Sequence, residues 1–338
     1  MTILRRSILA IAALMLVHAA SAEVKDGRYL NRYATTERSW GVNAYWLESD
    51  QGLVLIDALF LIPDAENLAA LLKSRNKPLL GVLLTHPHVD HFGGLGVIRK
   101  HFPEVPIYAT QGAIDNVQKV HDEAVAAGWI GVYGQDYTSS PVIPDQVVAS
   151  GSTLKLGDMH FDITSLGAME SADNAVIYSH EFDVLFTGDA VMNGAVYYLG
   201  EGHSHGVLKG LKRIAQNYPA KQRAFPSHGE PGRLGPMLKH ESAQVSFMRE
   251  QVREAAERPK AVTAEGRLSD GARARLVGVL SEHFRHYQTF GLGAETLALM
   301  NLGGIEPEVL AELSLANKTA ERTAAEAPTA LGADSSAE

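Results

Sequence analysis

Two rhythms of apolar and polar residues alternate along the chain. Short continuous apolar runs, Leu53-Val54-Leu55-Ile56 and Leu79-Leu80-Gly81-Val82-Leu83-Leu84, read as strands buried on both faces. Between them Leu68, Leu71 and Leu72 fall at helical spacing and predict a helix over 64–76. A strand at 43–48, a turn at Asp50-Gln51-Gly52 and the run from Leu53 to Asp57 form an N-terminal hairpin. A short strand at 107–109 and a helix at 111–127 follow. The segment from Gly128 to Pro144 carries Gly, Tyr, Trp, Ser and Pro without a period, the pattern of a substrate loop. A second strand series then runs through 153–156, 161–164, 175–178 and 184–187, with a helix at 206–217 and a last strand at 223–226. This is an α/β pattern in two halves. Past residue 236 the composition turns to Ala, Glu, Arg and Leu in helical periods, predicting helices at 238–257, 269–288, 293–300 and 306–315.

The two ends of the chain fall outside that pattern. Arg5-Arg6, the apolar stretch from Ile8 to Val17 and Ala20-Ser21-Ala22 have the layout of a secretory signal peptide cut after Ala22. Residues 1–22 are therefore set apart from a catalytic unit at 23–235, a helical extension at 236–315 and a disordered tail at 316–338, rich in Ala, Thr, Glu and Ser. The apolar stretch is too short for a stable membrane span. Removing Arg5 and Arg6 from the 30 basic residues leaves 28 against 39 acidic ones, a net charge of −11. Such a chain is a poor nucleic-acid binder. It contains no Cys, which excludes disulfides, thiolate ligands and a Cys nucleophile together. Export without disulfides points to a bacterial periplasm or to secretion.

The chemistry is concentrated in His86-Pro87-His88-Val89-Asp90-His91, directly after the buried strand. Three imidazoles and a carboxylate on a strand-to-helix turn are the donors that zinc prefers, and iron or manganese accept the same set. Gly93 and Gly94 then allow a tight turn into a short helix.

The string Thr85-His86-Pro87-His88-Val89-Asp90-His91-Phe92-Gly93-Gly94 resembles the signature of the metallo-β-lactamase superfamily. Phe186-Thr187-Gly188-Asp189 is similar to its Gly-Asp strand end, and Pro226-Ser227-His228-Gly229-Glu230 to the motif carrying its last histidine. The resemblance covers about residues 28–235 and implies a four-layered αββα sandwich, here with an added C-terminal helical region. It also implies two zinc ions, one held by His86, His88 and a third residue, the other by Asp90, His91 and His228, with Asp189 between them. The third residue departs from the pattern. Where a histidine is usual, alignment on Asp173-Asn174 places Glu170, an anionic ligand that would bind the ion more tightly and lower its Lewis acidity. The alkylsulfatase branch is similar in placing a glutamate there.

The resemblance implies a hydrolase that uses a metal-bridging hydroxide on an ester, lactone, amide or sulfate ester of a small molecule. An iron-dependent oxidoreductase or dioxygenase of the same superfamily, and a β-lactamase, are the alternatives. Asp90 would also orient the hydroxide or move a proton. Tyr198 and His203, in the loop after Asp189 together with Tyr197 and His205, are candidates to hydrogen-bond substrate. Trp129, Tyr133 and Tyr137 are candidates for an aromatic lid, with Trp40 and Asn43 behind them. The stripe Leu276, Val279, Leu280 and Phe284 reads as a docking face on the parent domain, with a homodimer surface as the other reading.

Overall fold

The computed structural model describes residues 23–326; the segment 1–22 read as a signal peptide and the last twelve residues lie outside them. Strands β1 (Glu23–Lys25), β2 (Arg28–Ala34), β3 (Asn43–Glu48), β4 (Leu53–Ile56), β5 (Leu79–Leu83), β6 (Ile107–Ala109) and β7 (Gln146–Val147) form one sheet in sequence order. The second sheet runs β13 (Gly232–Arg233), β12 (Arg223–Pro226), β11 (Val184–Gly188), β10 (Asn174–Ser179), β9 (Met159–Gly167), β8 (Ser152–Leu156). The helices are α1 (Ile62–Ser74), α2 (Val89–Phe92), α3 (Leu95–His101), α4 (Gln111–Ala126), α5 (Trp129–Tyr133), α6 (Ser204–Asn217), α7 (Leu234–Ala256), α8 (Asp270–Phe284) and α9 (Ala294–Glu326).

Three apolar layers separate the four layers of backbone, and strand alternation builds them. Val54 and Ile56 of β4 join Tyr45, Leu47, Phe161, Ile177 and Phe186 between the two sheets. The alternate residues Leu53 and Leu55 face the other way, onto Leu68, Leu72, Ile98 and Val117 of α1, α3 and α4. In the second sheet Ile177 points inward, and Val176 packs outward with Leu211, Val245 and Leu280 of α6, α7 and α8. The central strands β4 and β11 are thus dry on both faces, which is why they read as unbroken apolar runs. The expected αββα sandwich is the observed fold.

The C-terminal helices share that outer layer. Leu276, Leu280 and Phe284 are buried in it, and Val279 turns outward at 44% exposure. The expected docking face is therefore narrower by one residue. The two helices expected at 293–300 and 306–315 are one, α9, which also carries helix past residue 315 into the segment read as tail. Gly303, Gly304 and Pro307 interrupt the apolar period in the sequence. Leu297, Leu302, Ile305 and Val309 are nevertheless all buried along a single face, and that packing outweighs local propensity. Among the described residues no helix is long and apolar enough to cross a membrane.

One core group costs stability. Glu241 of α7 is fully buried, its carboxylate oxygens have no side-chain partner, and burial pushes its pKa well above the ordinary value. Folding then opposes ionisation, so this group's contribution falls as pH rises from the unfolded value of about 4.3 through the raised folded one. Glu241→Gln is expected to stabilise the protein by at least about 1 kcal/mol at pH 8, with the gain shrinking toward pH 5. Urea unfolding of both proteins at the two pH values measures it.

Candidate metal centre

Parallel pairing brings the chemistry to one edge. Strand β4 lies parallel to β5, and β11 parallel to β12, so all four C-terminal ends open on the same side of their sheets. Asp57, His86, Asp189 and His228 follow those four ends. Because β10 runs antiparallel to both β9 and β11, the β9–β10 connection carrying Glu170 lies at that edge too. The sheets are stitched together there. The Asn43 amide nitrogen donates to the Ser227 carbonyl at 2.7 Å, the Tyr45 hydroxyl to that of Pro226 at 2.7 Å, and the Ala175 amide to that of Thr85 at 2.9 Å. Asn43 is a clamp as well: its side-chain amide donates to the carbonyls of Pro226 and Gly229.

The glycines after the cluster work differently from the expectation. Gly93 and Gly94 have ordinary negative φ, and Cβ atoms on them would lie 2.2 Å and 2.0 Å from the carbonyl oxygens of Phe60 and Ala58. They are small because backbone passes against them, not because the turn needs special torsions. Asp90 and His91 accordingly sit within the one-turn helix α2.

Two adjoining donor sets result. His86, His88 and Glu170 make one, and Asp90, His91, Asp189 and His228 the other, with donor atoms in each set within 4.8 Å of one another. In the first, Glu170 lies 3.5 Å from His86 Nε2 and 2.9 Å from His88 Nδ1. In the second, Asp90 Oδ2 is 3.4 Å from His91 Nε2 and 3.0 Å from His228 Nε2. Asp189 Oδ2 stands between the sets, 3.8 Å from His86 Nε2, 3.5 Å from His91 Nε2 and 3.3 Å from His228 Nε2. Tetrahedral ligands at about 2.0–2.1 Å from a zinc ion are about 3.3 Å apart, so the spacing suits such an ion. Buried polar atoms without partners converge on the same space: His86 Nε2, His91 Nε2, Glu170 Oε2 and Asp189 Oδ1. Orphaned buried donors and acceptors in a native fold call for an occupant, and here cations fit.

The surrounding hydrogen bonds fix one nitrogen of each imidazole of the cluster and turn the other toward the facing donors. His91 Nδ1–H donates to Asp57 Oδ2 at 2.9 Å. The Thr85 hydroxyl donates to the same carboxylate at 2.8 Å, so it accepts from His86 Nδ1 at 3.0 Å. His88 Nε2 donates to Glu201 Oε1 at 2.7 Å. His86 Nε2, His91 Nε2 and His88 Nδ1 are thereby left as lone-pair donors aimed into the site. Without cations the charges settle otherwise. Burial pulls the His86 imidazole well below its ordinary pKa, and pushes the Glu170 carboxyl up to about 7 against the pull of His88. His228 is raised to about 9, because Asp189 and Asp90 outweigh its burial.

Two residues of this arrangement escaped the sequence reading. Asp57, held at φ 57° just past β4, orients His91 and, through Thr85, His86. Its only sequence signal is an acid closing an apolar run. Glu201 had none. It reaches His88 because buried Asn301 of α9 accepts from the Leu199 amide at 2.7 Å and donates to the Tyr197 carbonyl at 2.9 Å, pinning the loop.

The site opens into a cavity of ≈ 230 Å³ walled by Trp40, Trp129, Tyr198 and Phe290, among others. Tyr198 is there, its ring 5.9 Å from that of His88. His203 is not: it occupies a left-handed conformation (φ 67°) ahead of α6, and Glu201 is the polar residue of that loop on the cavity wall. Tyr197 is buried with its hydroxyl on the Ala190 carbonyl, and His205 pairs with Glu312. Of the expected aromatic lid, Trp129 lines the cavity. Tyr133 supports it by accepting from Trp40 Nε1, and Tyr137 stacks on His121 in the core. Phe290 packs 4.6 Å from the His228 ring, so the C-terminal region narrows the site.

The family model of the metallo-beta-lactamase superfamily matches residues 38–255, which take in every donor of both sets. The chain belongs to the metallo-β-lactamase superfamily. It is thus a metallo-hydrolase by family. A probable metallo-hydrolase of Streptococcus pyogenes serotype M6 is 23% identical over 200 residues, covering 58% of this chain and 83% of that protein. The hydroxyacylglutathione hydrolase of Yersinia enterocolitica is 25% identical over 176 residues, covering 52% and 57%. Metallo-beta-lactamase IND-1 of Chryseobacterium indologenes is 23% identical over 235 residues, covering 65% and 90%. Among solved structures, a beta-lactamase domain protein from Burkholderia ambifaria superposes with a TM-score of 0.62 at 21% identity, covering 86% of this chain and 91% of that one. That likeness shows the fold.

Proposed function

We propose that the protein is a dinuclear zinc hydrolase cleaving an ester, lactone, amide or sulfate ester of a small molecule, and that it is exported to the periplasm or beyond. The observation that carries the reading is the pair of adjoining donor sets, with Asp189 of one 3.8 Å from His86 of the other and four buried ligand atoms lacking partners. His86, His88 and Glu170 would hold one ion, Asp90, His91 and His228 the other, with Asp189 between. The ions would supply Lewis acidity and a water acidic enough to ionise near neutral pH.

The chain's own residues then have separable tasks. Asp57, Thr85 and Glu201 keep three imidazoles in their ligating tautomers. Asp90 faces the cavity, where its carboxylate can orient the attacking water or carry a proton to the leaving group. Burial raises the Tyr198 hydroxyl above its ordinary pKa, so it keeps its proton and serves as a donor to a substrate oxygen. Trp40, Trp129 and Phe290 exclude bulk water around the reacting bond.

Metal analysis of protein purified from unsupplemented cells, with hydrolysis assayed on ester, lactone, amide, sulfate ester and β-lactam panels, tests this. Two zinc ions per chain with turnover of at least one panel are expected. Two irons without zinc would sink the hydrolase reading in favour of an iron-dependent oxidoreductase. An N-terminus at Glu23 in the exported fraction is the expected result for the signal peptide.

A further inference from the structure

We infer that the part of the substrate away from the reacting bond is apolar and carries no anionic group. This rests on the hydrolase reading and sharpens it to a substrate class. The cavity wall is apolar over most of its surface, with Trp40, Trp129, Phe290, Leu292, Leu297 and Met300 facing it. The charged side chains on that wall, apart from the imidazoles, are all carboxylates: Asp90, Glu123, Glu170, Asp189 and Glu201. Among the described residues no Lys or Arg lines it. Lys119, next to the rim, is 65% exposed and lies 3.8 Å from Glu123. Even with two dications in place, five carboxylates face four positive charges, so nothing in the wall offers a distal anion a partner. A carboxylate taken into such a cavity would lose its hydration and meet like charge.

The mouth extends the apolar character outward. Helix α5 flanks it, and its Ile130 and Val132 are 44% and 72% exposed beside Trp129 of the wall. Glu123 and Glu201, 2.7 Å from His88 in the latter case, leave room at the rim for a neutral or cationic end and repel an anionic one. Substrates with carboxylates remote from the scissile bond, such as glutathione thioesters, are therefore poor fits. Medium-chain acyl esters and lactones are good ones.

The test compares p-nitrophenyl esters of one eight-carbon chain ending in a methyl group, a methyl ester, a trimethylammonium group or a carboxylate, all on the zinc-loaded protein. The carboxylate-ended ester is expected to show a kcat/KM about tenfold below its methyl ester counterpart, mainly through KM, and the trimethylammonium ester none of that loss. Equal kcat/KM for the carboxylate and methyl ester substrates would overturn the inference. Glu123→Lys is expected to shrink the tenfold gap to about threefold; an unmoved gap would overturn the role of the acidic rim. Binding is read separately from the tryptophans of the wall, Trp40 and Trp129, by fluorescence titration with octanol, octyltrimethylammonium and octanesulfonate, the last a weak metal ligand. Octanesulfonate binding as tightly as the other two would defeat the inference even if every ester were refused. Refusal of all esters with octanesulfonate bound weakest would instead defeat the hydrolase reading and leave the cavity's preference standing.

Discussion

Stripping the metal from the purified protein with a chelator is expected to abolish hydrolysis and to lower the thermal unfolding midpoint by roughly 15 °C. The two donor sets place three carboxylates and four imidazoles in a space with almost no solvent, and five of their buried atoms have no hydrogen-bond partner. Ions that bind only the folded chain stabilise it by about 4 kcal/mol each at a thousandfold excess over the dissociation constant, and 1 kcal/mol moves a chain of this size by about 2 °C. Scanning calorimetry of the loaded, stripped and zinc-reloaded protein measures the shift. A stripped protein with an unchanged midpoint would mean that the donor sets satisfy one another without a cation.

Replacing Glu170 by Ala is expected to cut metal content from two ions toward one and to lower turnover on the order of a hundredfold or more. Glu170 is the only carboxylate within reach of both His86 Nε2 and His88 Nδ1 in the first set, and without it two imidazoles alone must hold that ion. The loop is built to hold it. Met169 donates its amide to the Ser171 carbonyl, and the Ser171 amide donates to Asn174 Oδ1 at 3.1 Å. Thr110 and Ser165 both donate to Asp173. Glu170→His should retain two ions, since it restores the residue usual in the superfamily, and metal analysis beside steady-state kinetics on the three proteins decides. Full metal content in the Ala variant would remove Glu170 from the ligand set.

How much of this could be read without coordinates depended on spacing. His86, His88, Asp90 and His91 occupy six consecutive positions on one turn, so their convergence is a local property and was legible directly. Glu170, Asp189 and His228 were legible only by their place in a familiar order of motifs. Asp57 and Glu201 were not, because each is a lone acid whose partner lies far along the chain, His91 for one and His88 for the other. His203 lies five residues beyond Tyr198 in the same loop, yet only Tyr198 is on the wall. Loop contents say little about direction. In α9, the gap expected between residues 300 and 306 is bridged by continuous helix packed on the core. Gly304 has no room for a side chain, since a Cβ there would lie 1.9 Å from the Leu199 carbonyl oxygen.

By itself, then, the sequence determined the layers and the donor cluster, because hydrophobic period and short-range ligand spacing are physics that acts between near neighbours. Only the tertiary structure decided which acids hold the imidazoles, which aromatic residues wall the cavity and that, imidazoles apart, the charged side chains on that wall are carboxylates. Those depend on parallel strands ending at one edge and on a C-terminal helix pinning a loop about a hundred residues before it, contacts that no local pattern encodes.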